Sequence, residues 1–100
     1  MTTPAIFQLD NSKPATLAVS GVLSFDTAGS ALQAIQSSLA SGRVARLDLA
    51  RVTHCDSAGL ACVLAAAADA STRGHPLQVV GMPAGMLTLA QVCEVDRLLG

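Results

Sequence analysis

A chain of 100 residues that is 51% hydrophobic and only 13% charged is too apolar to be disordered and has room for one domain, burying about 60 to 70% of its unfolded surface. A net charge of −1, no basic cluster and two aromatic residues, both Phe, exclude the electrostatic footprint and the stacking platforms of a nucleic-acid binder. The longest apolar run, Leu60 to Ala68, falls far short of the roughly 20 residues that cross a bilayer, and MTTPAIFQLD carries no secretory pattern, so a cytoplasmic chain without direct membrane insertion is expected.

No repeat or linker interrupts the sequence, which reads as a single domain over residues 1–100. AIFQL predicts a short first strand, NSKP a turn, and TLAVSGVL a second strand with Leu17, Val19 and Val22 pointing inward, together a hairpin. In DTAGSALQAIQSSLASG, Asp26 or Thr27 caps a helix whose Leu32, Ile35 and Leu39 recur at helical spacing, and Gly42 stops it. VARLDLA alternates Leu47 and Leu49 with Arg46 and Asp48, the pattern of a central strand, followed by a loop. From Ser57 the period turns helical again through Leu60, Val63, Leu64 and Ala67, with Arg73, Gly74 and Pro76 marking the end. LQVVG is a last strand, and AGMLTLAQVCEVDRLL one or two final helices with Leu87, Leu89, Ala90, Val92 and Leu98 inward. Strands alternating with helices predict an α/β fold with right-handed crossovers and room for four strands in a small mixed sheet.

The three cysteines, Cys55, Cys62 and Cys93, are odd in number and without CxxC spacing, which favours small hydrophobes over a disulfide framework or zinc ligands; no cofactor or metal is expected. The segment DSAGL, residues 56–60, concentrates whatever chemistry the chain has. A nucleophilic Ser57 served by His54 and Asp56 lacks the GxSxG elbow, and sequence neighbours seldom point at one another as a triad requires. Neither GxxxxGK[ST] nor GxGxxG is present to cradle a phosphate. Ser57 is instead expected to cap the helix, a contribution of about 1 kcal/mol. Capping leaves Gly59 unexplained, since glycine in a first turn costs up to about 1 kcal/mol against alanine; close approach by another backbone or by a partner would require it.

Between Ser57 and Ala68 this helix has no charged residue on any side. With Leu60, Val63, Leu64 and Ala67 facing the sheet, the outer side would be Ala58, Ala61, Cys62, Ala65 and Ala68. A solvated helix face normally carries Lys, Glu or Arg. Alanines chosen for helix propensity are one explanation; a docking surface for another protein, formed by Asp56, Ser57, Ala58, Gly59, Ala61, Cys62 and Ala65, is the one favoured here.

LDLARVTHCDSAGLACVL, residues 47–64, and GVLSFDTAGSALQAI, residues 21–35, resemble the signature and the strand-to-first-helix segment of STAS domains, the module of sulfate transporters and anti-sigma-factor antagonists. The likeness extends with falling specificity over roughly residues 16–99. It implies a four-stranded mixed sheet with helices mainly on one face, and a binding domain rather than an enzyme. The short chain, the sparse charge of the second helix and the LTLA piece of its last helical segment resemble MlaB-type members, which implies docking on the ATPase subunit of an ABC phospholipid transporter that maintains outer-membrane lipid asymmetry. Such a subunit would sit in the cytoplasm, peripheral to the inner membrane through its complex. In the anti-sigma-factor antagonists the residue matching Ser57 is phosphorylated by a partner serine kinase, so the resemblance also implies Ser57 as a phosphorylation site, with that kinase as the alternative partner. In one departure from the MlaB group, Ser57 stands in place of threonine, which keeps that alternative in play.

Overall fold

The computed structural model describes residues 6–95. Strands β1 (Phe7–Asp10) and β2 (Thr16–Leu23) form the antiparallel hairpin, then follow helix α1 (Ala28–Leu39), strand β3 (Arg46–Cys55), helix α2 (Ser57–Thr72), strand β4 (Gln78–Val80) and helix α3 (Ala84–Val92). The sheet order is β1-β2-β3-β4, with β2, β3 and β4 mutually parallel. This is the α/β architecture expected, a mixed four-stranded sheet with helices as crossovers.

Alternation along the strands places Leu17, Val19 and Leu23 of β2 and Leu47 and Leu49 of β3 in the core with Val52. Their opposite neighbours Thr16, Ala18, Ser20, Asp48 and Arg51 line the polar face together with Gln8 and Asp10. Two expectations about these strands are corrected. Val22 is half-buried, and Leu23 takes the third inward position of β2. Strand β3 does not stop at Ala50 but runs to Cys55, because its register against β2 slips twice, between Ala18 and Ser20 and between Gly21 and Val22. Each slip accommodates an extra residue in β3, as a bulge does. The first of them turns Val52 inward and leaves Arg51 exposed, where strict alternation from Leu49 would have driven the arginine into the core.

Helix α1 buries Ala31, Ile35 and Leu39, with Leu32 half-buried. Thr27 occupies its N-cap position, yet its hydroxyl makes no cap bond. The oxygen accepts the Ser24 N–H at 2.9 Å and donates to the Val22 carbonyl at 2.8 Å, stiffening the β2–α1 loop instead. Gly42 (φ +72°) and Gly74 (φ +80°) follow α1 and α2 as the sequence predicts. Past α2 the His75 N–H reaches back to the Ala70 carbonyl at 3.0 Å, the closing bond of a Schellman ending. Helix α3 differs most from expectation. Met86 and Ala90 are its buried residues, whereas Leu87 and Val92 are 41% and 75% exposed, and Leu89 is half-buried. A nine-residue helix that touches the core along one edge has room for two inward residues, and Met86 is the longer and more adaptable filler. Leu98 lies outside the described residues.

Candidate functional site

The parallel strands β2 and β3 end side by side at Leu23 and Cys55, and both chains turn there into helices. What joins the two turns is Asp56. It is the N-cap of α2, with extended backbone (φ −126°, ψ −169°), and one carboxylate oxygen accepts the N–H groups of Ala58 at 2.9 Å and Gly59 at 3.1 Å. The second oxygen accepts the Phe25 N–H at 3.0 Å, from the β2–α1 loop 31 residues earlier. Ser57, expected as the cap, is instead the first helical residue. Its side chain is exposed, and among the described residues its hydroxyl makes no hydrogen bond. Aspartate and serine cap equally well, so the choice rests on where the helix begins, which the Asp56 N–H settles by bonding the Leu23 carbonyl at 3.3 Å and staying with the strand.

Gly59 is answered by the same neighbour. A Cβ there would collide with the Leu23 carbonyl oxygen and lie 2.8 Å from its carbon. The glycine is therefore required by close approach of the protein's own backbone, not by a partner, and it is buried. Cys62, expected on the outer face, is also buried, at 4% exposure. The inward side of α2 is Gly59, Leu60, Cys62, Val63, Ala66 and Ala70, while Leu64 and Ala67 are only half-buried. Relative to expectation the helix is rolled by about one position, because its smallest residues let it settle closely on the sheet and on α1. What it presents outward is Ser57, Ala61 and Ala68, flanked by half-buried Ala58, Leu64 and Ala65.

Of the residues expected at the site, Ser57, Ala58, Ala61 and Ala65 thus share one accessible stripe, Asp56 supports it from the end, and Gly59 and Cys62 lie beneath it. The sequence reading missed Phe25, which is 84% exposed beside this helix start. An aromatic between the end of a strand and the Asp26-Thr27 pair that precedes a helix is the signal that would have found it, since such turns run over the surface.

The three N–H donors, those of Phe25 and Gly59 before that of Ala58, hold the Asp56 carboxyl below its ordinary value, with His54 adding a smaller pull. Because the folded value of Asp56 is depressed, its contribution to stability is complete above the ordinary carboxylate pKa and is lost as pH falls through the depressed value. Asp56→Ala is expected to destabilise the fold by about 2 kcal/mol at neutral pH, from the lost cap and the lost charge-assisted bond to the loop. Melting curves should show the gap to the wild-type chain narrowing as pH drops below about 4; a gap independent of pH would count against the carboxylate.

A family model described as "Mlab, STAS domain" matches residues 8–100. No curated protein matches the chain. Among solved structures the chain is similar to the anti-sigma factor antagonist SpoIIAA in its unphosphorylated form, with a TM-score of 0.71 and 16% identity over 93% of this chain and 84% of that one. It is likewise similar to the Bacillus cell fate determinant SpoIIAA in the phosphorylated form, with a TM-score of 0.68 and 18% identity over 93% and 87%. These identities carry the fold alone. The family match spans nearly the whole chain and includes the Asp56–Leu60 turn described above, and the chain belongs to the MlaB-type STAS domain family.

Proposed function

We propose that residues 1–100 act as one STAS domain, a non-catalytic subunit that binds and supports the ATPase of an ABC phospholipid transporter maintaining outer-membrane lipid asymmetry. On this reading it is cytoplasmic and held at the inner membrane through that complex. The observation that carries the proposal is the outer stripe of α2, in which Ser57, Ala58, Ala61, Leu64, Ala65 and Ala68 reach the surface without one charge among them. Contiguous apolar surface on a small domain marks an interaction site, and short side chains let a partner helix or loop approach closely. No covalent step is required; the subunit contributes by binding.

Ala61→Glu tests this directly. Ala61 is exposed, so the variant should fold, while a carboxylate placed in the contact loses its water without gaining a partner. Binding to the purified ATPase, measured by calorimetry, is expected to weaken by about a hundredfold, near 3 kcal/mol. Unchanged affinity in both Ala61→Glu and Ser57→Asp would show that the surface lies elsewhere.

A second reading is favoured by Ser57 itself, an exposed residue at the first turn of a sixteen-residue helix. Phosphorylation there by an anti-sigma serine kinase would add about −1.5 to −2 charges at the positive helix end, and would make the stripe a switched rather than a permanent contact. Intact-mass measurement on protein from stressed cells should then find phosphate on Ser57; its consistent absence argues for the permanent subunit.

A further inference from the structure

Among the described residues the cationic side chains keep away from the end at which β2 and β3 finish. Residues 21–42 and 52–72, which supply the upper turns and both long helices, contain no Lys or Arg. Lys13, Arg43 and Arg46 lie at the opposite end, where β2 and β3 begin, with Asp10 and Asp48 close by, and Arg51 stands mid-strand on the polar face of the sheet. Asp69, far along α2, is paired with Arg73 at 2.9 Å. The upper end therefore keeps Asp26 and Asp56, with His54 exposed beside them.

In the middle of this acidic end stands Phe25, the most exposed large hydrophobic residue among those described. It is not carried by a loose segment. Its own N–H is bonded to Asp56, and the adjoining Ser24 and Thr27 are tied by the Ser24 N–H to Thr27 Oγ1 bond and by the Thr27 N–H to Ser24 carbonyl bond at 3.0 Å. The backbone that holds the ring in water is thus fixed against the residue immediately before Ser57. An aromatic anchor held rigidly at low entropy cost is the feature that dominates binding energy where a partner supplies a pocket.

We propose that the partner protein seated on α2 takes the Phe25 ring into an apolar pocket bordered by lysine or arginine side chains facing Asp26 and Asp56. This rests on the reading of α2 as a docking face and names what that partner must offer. Charge complementarity selects the occupant. An anionic membrane surface is repelled by this acidic rim rather than drawn to it, whereas a basic protein rim gains in encounter rate and in orientation.

The test titrates the purified chain with the purified ATPase of the host's phospholipid ABC system at low and high salt, following association and dissociation separately. Phe25→Ala is expected to weaken binding by about tenfold or more, chiefly through faster dissociation, with Phe25→Leu restoring part of it. Asp26→Lys should slow association and flatten its salt dependence. Both positions are exposed, and melting temperatures close to wild type would show that these losses belong to the contact. If Phe25→Ala binds as the wild type does while Ala61→Glu does not bind, the anchor is wrong and the α2 reading stands. If Ala61→Glu is harmless and Phe25→Ala is not, the anchor stands and the α2 reading falls. A wild-type chain that does not bind the ATPase overturns both. A mass for the chain alone that rises with concentration and returns to monomer on Phe25→Ala gives the patch to a second copy, its acidic end against the basic one, and overturns the assignment to a foreign partner.

Discussion

Gly59→Ala should be among the most damaging single-methyl changes this chain can suffer, with an expected destabilisation of about 3 kcal/mol and a fall in melting temperature of roughly 10 to 20 °C. In most helices the same change stabilises, since alanine is the better helix former by up to about 1 kcal/mol. Here the added carbon meets the Leu23 carbonyl group, with the carbonyl carbon at 2.8 Å and the Leu23 Cβ at 3.0 Å. These atoms are the backbone and Cβ of a fully buried residue, so nothing flexible can move aside. Relief would come by lifting the first turn of α2 off β2, which pulls Asp56 away from the Phe25 N–H and so loosens the loop as well. Gly29 and Gly85 are the internal controls. Both are helical with open space where a Cβ would go, and alanine at either should stabilise by about 0.5 to 1 kcal/mol. A Gly59→Ala chain melting within a few degrees of wild type would show that the helix does not sit this close to the strand.

Cys62→Glu should fail to give a cooperatively folded protein, although its neighbour Ala61→Glu should fold normally. The two positions are adjacent in sequence and opposite in environment, Cys62 at 4% exposure in the core cluster and Ala61 in water. A carboxylate forced under α2 would find no cation there, since α1, β2 and α3 carry no Lys or Arg and the two arginines of β3, Arg46 and Arg51, are exposed, and such burial costs several kcal/mol against a total stability of about 5 to 15. Loss of the sharp thermal transition, with retained helical signal in circular dichroism, is the expected observation; a normal transition would place Cys62 back on the surface. The thiol itself reports the same burial, which pushes its pKa up to about 11. Alkylation followed by mass spectrometry should therefore modify the exposed Cys93 well before Cys62.

The damage in these variants explains why the site was only partly legible beforehand. The DSAGL segment and its charge-free helix stand out in the sequence because composition and local spacing are enough to mark them. Which of its residues face outward is another matter. A helix written as SAGLACVLAAAADAST is apolar nearly all round, so its periodicity gives no sharp inward direction, and an arrangement with Leu64 and Ala67 inside reads as well as one with Cys62 and Ala66 inside. The backbone of Leu23 chooses between them by admitting only a glycine at the point of contact.

By itself the sequence determined the order of strands and helices, the turns at Gly42 and Gly74, the alternation that buries Leu17, Val19, Leu47 and Leu49, and the family signature, because each of these is written in neighbouring residues. Tertiary structure decided that Asp56 and not Ser57 caps α2, that β3 slips twice and turns Val52 inward, that Gly59 and Cys62 lie beneath the stripe, and that Phe25 is held in water. Those outcomes depend on contacts between segments some 30 residues apart, such as Asp56 with Phe25. A hydrogen bond or a collision across that distance leaves no period in the chain, and appears only once β2 and β3 lie side by side.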